Sequence, residues 1–75
     1  MAKMDDNDRH RYRALFERLL RLEAIAQERN WEDPAEKTIT EKKIEATYRQ
    51  IYLRGDLREI ERSLGEIWSL VFGED

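Results

Sequence analysis

The apolar residues of this chain recur at helical spacing in three separate segments, and that pattern constrains the fold more than any other feature. In residues 9–29 they fall within a stripe of roughly 160° on a helical wheel. A stripe of that width is typical of a helix packed against two neighbours, because a two-stranded coiled coil needs a narrower seam. Its members are Tyr12, Leu15, Phe16, Leu19, Leu20, Leu22 and Ala26. No stretch alternates polar and apolar residues long enough to predict a strand, so the sequence predicts an all-α fold, a small three-helix bundle.

The first break in the helical pattern spans residues 31–37. Asn30 is expected to end the first helix in the left-handed conformation. Asp33 and Pro34 have the spacing of an N-cap and a first helical residue, while Thr38-x-x-Glu41 has the spacing of a capping box. We predict a short turn and then a second helix over residues 38–54, because Ile39 falls off the apolar face that follows. The alternative is a helix that begins at Pro34. The face consists of Ile44, Thr47, Tyr48, Ile51 and Tyr52.

The second break lies at Gly55-Asp56, where the apolar pattern changes phase. Leu53 lies opposite the face of the second helix and fits the next segment instead, whose apolar residues are Leu57, Ile60, Leu64, Ile67 and Val71. A left-handed Gly55 followed by an N-cap at Asp56 predicts a third helix over residues 57–72, ended by Gly73. The alternative is one long second helix kinked at Gly55, which gives a helical hairpin. We expect a single domain over residues 1–75, with a frayed arm at residues 1–8.

The size of the chain limits how it can be stabilised. A folded monomer of 75 residues buries only about 60% of the surface that its unfolded form exposes. Cysteine is absent, which excludes disulfides, and the one histidine, His10, lacks partners for a zinc site. Helix packing and self-association remain, so we expect a homo-oligomer, most simply a dimer. The N-terminus lacks the apolar core of a signal peptide, and no run is long enough to span a membrane, so a cytoplasmic location is expected.

The sequence offers no catalytic constellation, and we expect a protein that is not an enzyme and needs no cofactor or metal. Ser63 and Ser69 have no histidine near them in sequence, and the three glycines form no phosphate-binding loop. Glu23 and Glu61 fall inside the apolar stripes of the first and third helices. Either these carboxylates lie at stripe ends or extend toward solvent, or they form interhelical or intersubunit ion pairs that fix register.

Charge is divided unevenly along the chain, whose net charge is −3. Residues 9–21 carry five arginines and one acid, a local balance of +4, whereas residues 55–75 carry six acids and two arginines, a balance of −4. The simpler interpretation is that the first helix lies against the acidic helix of the same or another chain. The functional interpretation is that the arginines bind an acidic partner or phosphates.

The candidate partner-binding residues combine these arginines with aromatic side chains outside the clearest core positions. Trp31 either caps the end of the core or is an exposed anchor, and the two aromatic residues near the C-terminus either close the bundle or project into a partner. The candidates are Arg11, Arg18, Arg21, Trp31, Trp68 and Phe72.

Residues 53–65, LRGDLREIERSLG, resemble the first helix and turn of some helix-turn-helix DNA-binding domains. The resemblance implies a turn at Leu64-Gly65 and a recognition helix after it. Residues 66–75 depart from the family pattern, because they hold no Lys, Arg, Asn or Gln to read bases.

The expected function is that of a small regulatory or adaptor protein that acts through protein–protein contacts of its helical faces. Phage- or plasmid-encoded inhibitors of host proteins have this size and acidity, although no motif here is specific to them. The alternative is a helix-turn-helix-like regulator that binds nucleic acid. The net negative charge argues against that alternative.

Overall fold

The computed structural model describes residues 6–73, and within them the chain forms three helices and no strand. Helix α1 spans Asp6–Glu28, α2 spans Pro34–Tyr52 and α3 spans Leu57–Phe72. All three pack against one another, so the predicted all-α three-helix bundle is confirmed. The hairpin with one long kinked helix is wrong, because the chain leaves the helical conformation between α2 and α3. The predicted arm is helical from Asp6 onward, and its first five residues lie outside the described part of the chain.

Long-range contacts establish an up–down–up arrangement. The Tyr12 hydroxyl donates to the Gly55 carbonyl at 2.7 Å, which places the start of α1 beside the α2–α3 connection. At the other end, Arg29 donates to the Val71 carbonyl at 2.6 Å, so α1 and α3 end together. Helices α1 and α3 therefore run in the same direction, and α2 runs against both.

The core is built from one narrow seam on each helix. Along every helix the buried residues are separated by alternating steps of three and four, the a/d pattern of a coiled coil. On α1 they are Tyr12, Leu15, Leu19, Leu22 and Ala26; on α2, Thr40, Ile44, Thr47 and Ile51; and on α3, Ile60, Leu64, Ile67 and Val71. The bundle is elongated, 48 × 20 × 16 Å, and only these seams face its common axis.

The narrow seam corrects the wide stripe predicted for α1. Phe16 and Leu20 are 41% and 43% exposed, because they lie on the flank of the seam rather than on it. Tyr52 and Leu53 are also exposed, although the predicted faces of the second and third helices included them. Two helical neighbours thus cover less of each helix than the apolar pattern indicated.

The predicted start of the second helix at residue 38 is wrong. Asp33 caps the helix, since its carboxylate accepts a hydrogen bond from the Ala35 amide at 2.9 Å, and Pro34 is the first helical residue. Thr38 lies inside the helix and donates to the Pro34 carbonyl at 3.1 Å, so it caps nothing. Ile39 faces solvent. The prediction relied on Ile39, which does not lie on the apolar face of the second helix. A single exposed isoleucine costs the helix little, whereas Asp33 and Pro34 together provide a complete helix start.

The connection between α2 and α3 confirms the phase change at Gly55-Asp56 but corrects its mechanism. Arg54, and not Gly55, takes the left-handed conformation, with a φ of 58°. The Gly55 amide donates to the Gln50 carbonyl at 2.8 Å and the Arg54 amide to the Ile51 carbonyl at 3.1 Å, which is a Schellman motif. Asp56 then caps α3 by accepting from the Arg58 amide at 2.8 Å.

The other two predicted helix ends have opposite outcomes. Gly73 has a φ of 67° and ends α3 as predicted. Asn30 does not have a positive φ, so its predicted left-handed conformation is wrong. The Arg29 amide still bonds the Ile25 carbonyl at 2.9 Å, and the chain then turns directly into the connection to α2.

Candidate interaction surfaces

An open groove lies between the N-terminal half of α1 and the C-terminal half of α2. Its volume is about 1050 Å³, and every charged residue that lines it is an arginine. We call it the basic groove; its lining is Arg9, Tyr12, Arg13, Phe16, Tyr48, Arg49, Ile51, Tyr52 and Arg54. Arg54 lies over the Tyr12 ring, with its guanidinium carbon 5.1 Å from the ring centroid. Arg9 and Arg49 form no ion pair with any residue in the described range 6–73. This groove is therefore a concentrated positive surface on an acidic protein.

A smaller cleft of about 410 Å³ continues along the same two helices at the opposite end. We call it the acidic cleft. Three carboxylates and one lysine give it a local balance of −2. Its lining is Glu23, Ala26, Gln27, Trp31, Lys37, Thr40, Glu41, Ile44, Glu45 and Tyr48. Sequence reasoning missed both surfaces, because each is assembled from two helices whose facing sides the sequence does not specify.

Tyr48 stands at the junction of the groove and the cleft. Its hydroxyl donates to Glu23 Oε1 at 2.9 Å, and its ring meets Phe16 edge to face with centroids 5.6 Å apart. Burial, followed by the hydrogen bond to the Glu23 carboxylate and the charge of that group, raises the pKa of Tyr48 well above its ordinary value. Tyr48 therefore remains a protonated donor that holds α1 and α2 in register.

The two carboxylates singled out from the sequence are both accommodated without full burial. Glu23 is partly buried and is paired with Tyr48 across the α1–α2 contact. Glu61 is exposed, and its Oε1 lies 3.7 Å from Arg11 Nη2. Arg11 and Glu61 thus link the arginine-rich helix to the acidic helix within one chain, as the simpler interpretation of the charge asymmetry predicts.

The structure brings four of the six predicted partner-binding residues to the side where α1 meets α3. Arg11 faces α3, and Arg18 follows it by two helical turns on the same side. On α3, Trp68 and Phe72 are 44% and 43% exposed, with ring centroids 4.2 Å apart. Ile25, also exposed, continues the row of Arg11 and Arg18 toward these rings. We call this side the α1–α3 face.

The remaining two predicted residues lie elsewhere. Arg21 is exposed near the outer surface of α1. Trp31 is partly buried against the core, and its indole nitrogen donates to the Ala26 carbonyl at 2.8 Å. This position fits the interpretation of Trp31 as a cap on the end of the core.

Arg29 is a structural residue that sequence reasoning missed. Its guanidinium lies 4.3 Å from the Trp31 ring centroid and also donates to the carbonyls of Leu70 and Val71. A cation at these last carbonyls of α3 is favourable, because they carry the negative end of the helix dipole. The only sequence signal was the position of Arg29 at the end of α1. That position brings Arg29 to the carbonyls of α3 only because α1 and α3 end side by side.

Other kinds of site find little support in the described residues. Within residues 6–73 no three metal-binding side chains cluster, and His10 is exposed. None of the described helices has the length and apolarity needed to cross a membrane. The turn implied by the helix-turn-helix resemblance is wrong, since Gly65 lies in the middle of α3. Comparison with protein-family models, curated proteins and solved structures finds no match to this chain.

Proposed function

We propose that the protein is a small, non-enzymatic regulatory or adaptor protein of the cytoplasm, which binds another protein through its α1–α3 face. The observation that carries the proposal is the adjacent pair Trp68 and Phe72, two large aromatic rings held at the surface on the side of the bundle where α1 presents Arg11 and Arg18. Tryptophan and arginine are the residues most enriched among those that dominate interface energies. Inhibition of a host protein by a phage- or plasmid-encoded regulator is one form that this function takes.

The chemistry of the face suits a partner of a particular kind. Trp68 and Phe72 offer a surface for an apolar side chain, while Arg18 forms no ion pair with the described part of the chain. A partner segment with an apolar residue flanked by carboxylates satisfies both, because arginine binds carboxylates with two parallel hydrogen bonds. The runner-up, a helix-turn-helix regulator, is not carried forward, since Gly65 forms no turn.

Affinity capture with matched variants tests the proposal. The wild-type protein and two variants of the face, Arg18→Glu and Trp68→Ala, are each used to capture proteins from native lysate. The control is Ile39→Ala, which also removes an exposed apolar side chain but lies on α2, away from the α1–α3 face. We expect one partner to be enriched by the wild type and the control and lost with both face variants. A partner retained equally by all four proteins would refute the assignment to this face.

A further inference from the structure

The face formed by α1 and α2 is divided by charge into two ends. The basic groove contributes four arginines and no acid, whereas the acidic cleft contributes three carboxylates and one lysine. Neither Glu41 nor Glu45 forms an ion pair with the described residues, and the same holds for Arg9 and Arg49. Both ends therefore present charge that the fold itself leaves uncompensated.

The centre of this face is apolar. Phe16 lies seven residues after Arg9 and seven before Glu23, so it stands about 10 Å from each along the helix. Its ring packs against Tyr48 and remains 41% exposed, and Leu20 beside it is 43% exposed. An apolar, aromatic centre with charged residues around it is the usual composition of a protein–protein interface.

From this arrangement we infer that the α1–α2 face binds a second copy of the same chain in antiparallel orientation. A two-fold axis near Phe16 and Tyr48 places the basic groove of each protomer on the acidic cleft of the other. Such an interface is isologous, which means that every favourable charge contact occurs twice. The apolar centres then cover each other, and guanidinium groups of one protomer enter the cleft lined by Glu23, Glu41 and Glu45 of its partner.

The charge pattern favours this occupant over two others. A nucleic acid strand or an acidic peptide would satisfy the basic groove, but the acidic cleft on the same face would repel it. A basic peptide would satisfy the acidic cleft, but the basic groove on the same face would repel it. A second copy carries both signs at the required separation, and it also covers apolar surface that a 75-residue chain has difficulty in burying alone.

Charge-swapped variants give a specific test, with self-association measured by sedimentation equilibrium over a range of concentrations. The basic-end variant is Arg9→Glu with Arg49→Glu, and the acidic-end variant is Glu41→Lys with Glu45→Lys. All four positions are exposed, so both variants should fold, which circular dichroism checks. We expect the wild type to form dimers and each variant to dimerise at least about 100-fold more weakly, because every reversed charge acts at both symmetric contacts.

Recombining the variants separates this interface from any other mode of association. An equimolar mixture of the basic-end and acidic-end variants should form heterodimers in preference to either homodimer, because one of the two symmetric contacts then joins an unaltered basic groove to an unaltered acidic cleft. The control is Arg58→Glu with Arg62→Glu, which makes the same change of net charge on exposed positions of α3 and should dimerise like the wild type. Raising the salt concentration should weaken the wild-type dimer.

Three results would overturn the inference. The first is a wild-type protein that stays monomeric at every concentration, and the second is a dimer that persists in both end variants. The third is failure of the mixture to associate more strongly than either variant alone. Binding of single-stranded DNA to the wild type at low salt, lost in the basic-end variant, together with a monomeric wild type, would reassign the groove to nucleic acid. The α1–α3 variants Arg18→Glu and Trp68→Ala should dimerise normally, so this inference and the proposed function fail independently.

Discussion

Leu19 and Leu20 are consecutive leucines on α1 that the structure places in opposite environments. Leu19 is 0% exposed in the centre of the core, whereas Leu20 is 43% exposed on the flank. Replacing either with alanine makes the same change in composition and in helix propensity. Any difference between the two variants therefore reports on burial alone.

The structure allows the size of this difference to be worked out. Truncation of a fully buried leucine costs about 3 kcal/mol or more, the transfer free energy plus the cost of the cavity. A chain of 75 residues has a total free energy of unfolding of roughly 4–11 kcal/mol. Leu19→Ala should therefore remove a large part of the stability and lower Tm by about 12–24 °C. Leu20→Ala, which deletes a half-exposed side chain, should cost less than about 1 kcal/mol.

Urea unfolding followed by circular dichroism measures both values. Both leucine substitutions are made in the variant that carries Glu41→Lys and Glu45→Lys. This variant is expected to dimerise weakly, so a contribution of Leu20 to self-association does not affect the measured free energy of unfolding. Equal losses for the two variants, or a larger loss for Leu20→Ala, would refute the orientation of α1 in which Leu19 faces the core and Leu20 faces solvent. The α1–α2 face and the α1–α3 face both depend on that orientation.

Three further predictions concern helix ends and titrating groups. Asp56→Ala should lower the free energy of unfolding by about 1 kcal/mol, because Asp56 caps α3, while Asp56→Asn should retain most of it; equal losses would contradict the cap. A hydrogen bond from Lys43, followed by its charge, lowers the pKa of Glu66. The folded pKa lies below the unfolded value of about 4.3, so this stabilisation is complete above that pH and is lost as pH falls through the folded pKa. Both side chains are about half exposed, so Glu66→Gln should change the acid dependence of unfolding by less than about 1 kcal/mol, and a larger change would show that Glu66 has other partners. The pKa of Tyr48 is raised, so its contribution to stability is complete below about pH 10 and is lost as the phenol ionises. An ultraviolet titration of the three tyrosines should show one phenol that ionises well above the ordinary range, and Tyr48→Phe should abolish that step; its survival in the variant would assign it to another tyrosine.

Helix ends that are set by local hydrogen bonds were predicted well from the sequence. The caps at Asp33 and Asp56 and the end at Gly73 depend on hydrogen bonds and dihedral angles within a few residues, so residue type and spacing indicate them well. The predicted start of α2 was wrong because the position of Ile39 in the apolar pattern was given more weight than the local signal at Asp33 and Pro34. The left-handed residue at the second break was misplaced by one position, because the Schellman motif put Arg54 where a glycine is more usual.

The sequence by itself determined that the chain is all-α, and it predicted three helices, with a helical hairpin as the alternative, and their ends to within a few residues. It also identified every member of the three core seams except Thr40. Helical periodicity and capping are local properties, and they act before any two helices meet. Tertiary structure alone decided which flank of each seam faces a neighbour. It therefore placed Phe16 and Leu20 at the surface, joined the arginines of two helices into the basic groove, and brought Trp68 and Phe72 to the side of the bundle where α1 meets α3. Whether a flank faces solvent or another helix depends on which helices pack together and in which direction each of them runs. Those surfaces, on which both functional proposals depend, became visible only in the packed bundle.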